Sequence, residues 1–352
     1  MKLSATTLTA SLLVTVIGTL LVIPMMLQWE RPPMESAQWG FRGLGMEHIV
    51  NPRLAARVKA ANPLPTPDDP VPNDGVLVRD DHENYKNVQV LGDLDTAQFN
   101  RLMGAITLWV APQEGDNAGC AYCHNVENMA SDEVYTKVVA RRMLQMTRAI
   151  NTQYKAHVAQ TGVTCYTCHR GNAVPANIWF TNPGPRQAGG FAASRNGQNL
   201  AGQPVPAFAS LPYDPFTPLI SEPGGAIRVQ ATTALPGNPG PEFKKTETTY
   251  ALMMHMSTGL GVNCTFCHNS RAFSNWEQSR PQRVTAWHGI QMVRDINANY
   301  ITPLAGVFPA NRKGPTGDVY KTNCATCHNG VNKPLYGFSM AKSYPELSVP
   351  NP

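Results

Sequence analysis

All eight cysteines of this 352-residue chain fall in four five-residue runs. They are Cys120-Ala-Tyr-Cys123-His124, Cys165-Tyr-Thr-Cys168-His169, Cys264-Thr-Phe-Cys267-His268 and Cys324-Ala-Thr-Cys327-His328. Cys-x-x-Cys-His is the attachment signature of a c-type haem. Two residues between the sulfurs let them reach the two vinyl groups of one porphyrin, and the adjacent histidine then lies under the iron. A disulfide scaffold has no need of a histidine after every second cysteine. A zinc site needs a second pair or two spaced histidines close by. Here the first cysteines stand 45, 99 and 60 residues apart, and none is left over. The expectation is four covalently bound haem c groups, with His124, His169, His268 and His328 as proximal iron ligands.

Haem also explains an awkward composition. Glycine (28) and proline (30) together make up about one residue in six, which forbids long regular elements. Each haem supplies an apolar disc around which short helices and loops can pack. The fold class expected is therefore mainly α with extensive irregular loops, a multihaem c-type cytochrome. The net charge of +5 is mild and asks for no nucleic acid.

From Leu3 to Trp29 no residue is charged, and the apolar run from about Leu8 to Leu27 is near the ~20 residues that span a bilayer. It is long for a signal-peptide core, and no clean small-x-small cleavage site follows closely. A retained transmembrane anchor is preferred over a cleaved signal. No cysteine precedes Cys120, so a lipidated N-terminal cysteine is not expected. Lys2 then stays cytoplasmic and everything after Glu30 lies in the periplasm.

Residues 1–30 are thus read as anchor and 31–94 as mainly extended surface chain. A first helix opens at Asp95, with Gln98 as a capping-box partner. A second runs from near Ser131-Asp132-Glu133 to about His157. Residues 171–245 hold no cysteine or histidine and read as an irregular Pro/Gly-rich connector. A third helix is expected near 247–258. A fourth is expected to start at Ser279-Arg280-Pro281-Gln282 and end near Tyr300. The second and fourth helices resemble one another: Gln145-Met146-x-Arg148-x-Ile150-Asn151-x-x-Tyr154 matches Gln291-Met292-x-Arg294-x-Ile296-Asn297-x-x-Tyr300. The chain reads as an internal duplication, with dihaem halves at 95–170 and 246–335 in pseudo-symmetric relation and a tail at 336–352.

Each iron has one more axial position, and a distal ligand should sit on the helix just before each motif. Met103 is the only methionine on the first helix. The second offers Met143 or Met146, and the third Met253, Met254 or Met256. Met146 matches Met292, but Met143 matches Gly289. If Met143 is a ligand, the second half has lost its equivalent, and His157 becomes the candidate for the haem at Cys324 and Cys327. His48, His82, His255 and His288 read as surface or hydrogen-bonding residues.

Taken together, the chain resembles the tetrahaem cytochrome c subunit of the purple-bacterial photosynthetic reaction centre, from about Phe41 to Gly337. The stretches that carry the likeness are Met103-x-Ala-Ile-Thr-x-Trp109-Val-x-Pro, Lys137-Val-Val-Ala-Arg-Arg-Met143, His157-Val-Ala-Gln-Thr-Gly-Val-Thr-Cys165 and Tyr250-Ala-Leu-Met253. The resemblance implies distal ligands Met103, Met143 and Met253, with His157 serving the fourth haem. It implies an electron carrier rather than an enzyme, one that caps the periplasmic face of the core subunits in the photosynthetic inner membrane. It would take electrons from a soluble cytochrome c or high-potential iron–sulfur protein, with light-harvesting subunits as further neighbours. It would re-reduce the photo-oxidised bacteriochlorophyll pair, with the third-motif haem nearest that pair and the fourth, second and first following outward. Gly115-Asp116-Asn117-Ala118 looks like a short insertion beside the outermost haem. Arg283 is expected near the third-motif haem. The alternative is a multihaem reductase or quinol-linked haem protein outside photosynthesis; a full set of eight axial ligands, leaving no open iron, argues against it.

Charge adds a further expectation. Residues 66–133 carry thirteen acids and three bases, a net of −10 in a chain of +5. That segment reads as a docking surface for a basic donor beside the first motif.

Overall fold

Helices and loops dominate the computed structural model, which describes residues 5–27, 34–38, 47–181, 198, 205–221, 225–229 and 243–351. The first element, α1 (Ala5–Leu27), contains one window, Thr9–Met26, long and apolar enough to cross a membrane. Its described side chains are exposed. Glu30 and Arg31, which would flank the anchor, lie outside the described residues.

The described part of the segment 31–94 contains regular elements. It holds an antiparallel pair, β1 (Glu35–Gln38) and β2 (Glu47–Val50), with Glu35 opposite Val50. The helix α2 (Pro52–Ala60) follows, capped by Asn51, whose side chain accepts from the backbone of Arg53 at 3.0 Å. Val78, Val90, Leu91 and Leu94 are buried. Val90, Leu91 and Leu94 belong to the core cluster around Leu102 and Trp109, against which Cys165 and Tyr166 of the second motif pack.

Next comes α3 (Thr96–Val110), which starts where expected. Asp95 is the N-cap: one carboxylate oxygen accepts from Ala97 N–H at 3.0 Å, and the other from Asp74 and Gly75 N–H at 2.9 and 2.8 Å. Gln98 contributes its backbone N–H to Asp95 rather than a reciprocal side-chain bond. Leu102, Ala105 and Trp109 form the buried stripe.

The second long helix is shorter than its sequence pattern. It splits into α4 (Tyr135–Gln153) and α5 (Lys155–Val158), because Tyr154 leaves the helical region. Its start slips from Ser131 to Tyr135, and Ser131 instead accepts from Glu133 N–H in a local turn. The motif helix α6 (Cys165–His169) follows. Of the connector at 171–245, most lies outside the described residues; the described part includes a π-helical turn at Thr217–Ser221. Then come α7 (Phe243–Leu260) and α8 (Gln282–Asp295). The latter runs on as a π-helical turn, Ile296–Ile301. Pro281, not Ser279, occupies the N-cap position of α8, without a capping side chain. Ser279 Oγ accepts from Arg283 at 2.7 Å instead. The second motif helix, α9 (Cys324–His328), and the short α10 (Met340–Ser343) complete the order.

Two segments that follow motifs lock the long helices. Arg148 on α4 donates to Glu346 O, and Asn151 to Leu347 O at 2.8 Å. Arg294 in α8 donates to Leu219 O, and Asn297 in the following turn donates to Ile220 O at 3.0 Å. Asn151 also brackets Val163, and Asn297 brackets Thr322, each through both amide atoms. The matched residues of the sequence thus make matched bonds. Within the C-terminal segment, Met340, Tyr344 and Leu347 are buried and pack with Leu102, Trp109 and Leu144. Phe216, Leu219 and Ile220 likewise pack with Leu252, Ile290 and Val293.

Candidate haem-binding centre

Each motif bends its histidine into one local geometry. The first and third motifs form 3-10 turns, Gly119–Tyr122 and Cys264–Phe266. The second and fourth are α6 and α9, held by Thr167 and Thr326, whose hydroxyls accept from Thr164 N–H at 3.0 Å and Asn323 N–H at 3.1 Å. In all four, the ring Nδ1 lies against a backbone carbonyl. His124 meets Met129 O at 3.2 Å and His268 meets Phe273 O at 2.8 Å. His169 meets Asn172 O and His328 meets Val331 O, both at 2.9 Å. A carbonyl only accepts, so Nδ1 carries the proton and Nε2 is left with a free lone pair. That is how a metal-ligating histidine is oriented. Burial lowers the pKa of all four imidazoles, to about 4 at His328, which favours the neutral form a metal needs.

His157, on α5, faces His328 with ring centres 6.0 Å apart and planes at 67°. A metal held between two imidazole nitrogens at about 2 Å each sets the ring centres about 6 Å apart. The pair therefore fits a bis-imidazole iron site. His157 Nδ1 points at Thr285 O, 2.9 Å away on α8, so its Nε2 is the free nitrogen. Burial lowers its pKa as well.

A cavity of about 1740 Å³ runs through the molecule. Single-ligand pockets are typically ~300–1,000 Å³, so this space suits more than one large cofactor. Its walls hold Met103 with Cys120, Cys123 and His124, and Met143 with Cys165, Cys168 and His169. They also hold His157 with Cys324, Cys327 and His328. Met146 lines the same cavity, and both Met143 and Met146 pack against Ile150, Met292 and Ile296, so packing alone does not separate the two candidates. The third site is less complete. Cys267 and Met256 line the cavity while Met253 and His268 do not, and both Met253 and Met256 pack on the Phe216–Ile290 cluster.

Cys168 and Cys327 stand side by side, with Cα atoms 4.5 Å apart. α6 and α9 lie side by side, which brings the second cysteine of each motif together.

Of the four other histidines, His255 is not a surface residue. It is buried on α7 against Phe216, with ring centres 4.6 Å apart. His82 is exposed, and His48 and His288 are half-buried. Arg283 lies over Trp276, 4.0 Å from the ring centre, and donates to Asn275 O at 2.9 Å. The acidic segment is partly committed to structure. Asp95 is a buried cap, Asp93 pairs with Arg148, and Asp132 pairs with Arg141 at 2.8 Å. Asp69, Asp80, Glu83, Glu114, Asp116 and Glu127 are exposed.

The carbonyls that hold the histidines were invisible to sequence reasoning, since any residue supplies one. Gly289 was visible only as the mismatch to Met143.

A family model described as the photosynthetic reaction centre cytochrome C subunit matches residues 30–348. The chain is 52% identical over 319 residues to the photosynthetic reaction center cytochrome c subunit of Rubrivivax gelatinosus, covering 90% of this chain and 84% of that protein. It is 51% identical to the same subunit of Thermochromatium tepidum, over 92% of this chain and 77% of that one. The Roseobacter denitrificans subunit is 43% identical, over 75% and 72%. With histidines oriented for metal beside paired cysteines and a likeness spanning nearly all of its length, the chain belongs to the photosynthetic reaction centre cytochrome c subunit family.

Proposed function

We propose that this reaction-centre cytochrome binds four haems, at Cys120/Cys123, Cys165/Cys168, Cys264/Cys267 and Cys324/Cys327, and relays electrons to the photo-oxidised bacteriochlorophyll pair. Bound haem supplies reversible one-electron transfer. The chain's own residues hold and tune it. His124, His169, His268 and His328 serve as proximal ligands, oriented by the carbonyls described above. Met103, Met143 and Met253 serve as distal ligands to the first three, and a methionine sulfur raises the reduction potential. His157 serves the fourth, which therefore has a lower potential than a methionine-ligated site. The observation that carries the reading is the His157–His328 pair, separated as a bis-imidazole metal site requires.

The exposed acids near the first motif receive a basic soluble donor, a cytochrome c or high-potential iron–sulfur protein. The surface near the third motif faces the core subunits, with light-harvesting subunits beside it. The helix α1 anchors the chain with the haem-bearing part in the periplasm, and the chain consists of two pseudo-symmetric dihaem halves.

Two measurements test this. Intact mass of the native subunit should equal the chain plus four haems; three or fewer refutes the count. In native membranes, a flash should oxidise haem as fast as the bacteriochlorophyll pair is re-reduced. Haem that stays reduced after the flash refutes the relay.

A further inference from the structure

The helix α8 passes His157 at one position where no side chain fits. Gly289 is buried, and a β-carbon there would stand 2.5 Å from His157 Cε1, 2.8 Å from Nδ1 and 3.1 Å from Nε2. Carbon atoms in contact prefer about 3.5–4.0 Å, so even alanine overlaps the ring. The ring has little freedom to withdraw. Its Nδ1 is tied to Thr285 O, one helical turn before Gly289, at 2.9 Å. Its other side faces His328, with ring centres 6.0 Å apart. The imidazole thus lies in a groove on α8 that exists because residue 289 has no side chain. The φ of Gly289 is ordinary for a helix, so backbone conformation does not call for glycine here, and glycine in a helix interior costs about 1 kcal/mol relative to alanine.

The repeat adds a second observation. In the matched helix α4 the same position is Met143, which lines the cavity beside Cys165, Cys168 and His169. One helix position therefore carries a thioether in one copy and bare backbone in the other. Where the side chain is missing, an imidazole from α5 takes its place.

We infer that Gly289 is a positioning residue that selects the axial ligand of the fourth haem: its missing side chain admits His157 opposite His328 and keeps sulfur out. This rests on the four-haem reading above and extends it from which residue is the ligand to what decides it.

The test uses the full subunit, purified with its haems, and reads the low-spin ferric EPR signals and the four midpoint potentials. Gly289→Ala should abolish the bis-imidazole EPR signal and move one midpoint, leaving three at their wild-type values. Gly289→Met should raise one midpoint and increase the methionine-to-iron absorption by about a third, as three sulfur-ligated haems become four. A second route removes the overlap. In His157→Gly, added imidazole should restore the bis-imidazole signal. In the double variant His157→Gly/Gly289→Ala, the new methyl occupies the groove, and restoration should be lost. A Gly289→Ala protein with the wild-type EPR signal and midpoints, or a double variant restored as well as the single one, overturns the inference. His157→Met separates it from the underlying assignment. If that variant leaves all four midpoints unchanged, the ligand assignment itself is wrong. If it raises one midpoint while Gly289→Ala changes nothing, only the role of Gly289 is lost.

Discussion

Replacing Arg148 by methionine should destabilise the protein more than any other single surface-neutral change on α4. Arg148 is fully buried. Its guanidinium makes two bonds of 3.0 Å to the Asp93 carboxylate, one of 3.0 Å to Val90 O and one of 3.2 Å to Glu346 O. It therefore ties α4 both to the segment before α3 and to the end of the chain. Removing one member of a buried ion pair costs about 3–5 kcal/mol. Here Asp93 is 33% exposed and regains water, which reduces that cost. The two carbonyls do not, and each buried acceptor left without a donor costs about 1–3 kcal/mol. Methionine keeps most of the stem volume, so cavity formation adds little. The sum is about 3–5 kcal/mol. Unfolding entropy near 2.1 cal/mol/K per residue gives roughly 0.7 kcal/mol per degree for a chain this long, so Tm should fall by about 4–7 °C. Circular dichroism melts of wild type and variant at one scan rate measure it. Arg294→Met is the matched control. It loses bonds to Leu219 O, at 2.8 Å, and Gly225 O, but no carboxylate, and should cost about half as much. An Arg148→Met protein melting within about 1 °C of wild type, or one melting above Arg294→Met, would refute the reasoning.

Three further outcomes are expected. Reversing Asp80, Asp81, Glu114 and Asp116 to lysine should slow reduction by a basic donor. The wild-type rate should fall steeply with salt, because surface charges are largely screened beyond ~10 Å at 0.1 M. Flash kinetics read both this step and re-reduction of the bacteriochlorophyll pair, which should be unaffected; a donor rate insensitive to salt and to the reversals returns the segment to ordinary solvated surface. Arg283→Leu should lower the midpoint of the third-motif haem alone, since a fixed cation disfavours the ferric state; a redox titration with four unchanged midpoints leaves Arg283 as a partner of Trp276 and nothing more. Residues 6–27 should persist in the mature subunit as its anchor, and N-terminal sequencing that begins after Trp29 would contradict this.

The haem motifs could be read from sequence because the chemistry is local. Two sulfurs and an imidazole within five residues need no tertiary contact to be recognised. Helix α3 was legible for a similar reason: Asp95 caps it through the next three residues, and Leu102, Ala105 and Trp109 repeat at helical spacing. Elements whose limits depend on distant partners were read less well. The start of α4 slipped to Tyr135 because Ser131 and Asp132 are taken up by a local turn and by Lys137 and Arg141. The break at Tyr154 turns α5 so that His157 reaches α8, and nothing in the periodicity of 134–157 marks it.

What the sequence determined by itself is the number of attachment motifs, the repeat that relates the α4 and α8 regions, and the residue types able to ligate iron. Those follow from covalent spacing. Tertiary structure decided the rest. It set Glu346 and Leu347, far along the chain, on Arg148 and Asn151, and set Leu219 and Ile220 on Arg294 and Asn297. It also brought Cys168 beside Cys327 and His157 opposite His328. These pairings join residues 75 to 198 positions apart in the bonds just named, or 159 apart in the case of the cysteines. No local pattern encodes such contacts, because the energy that selects them comes from burying apolar surface and satisfying buried polar groups only once the whole chain has closed.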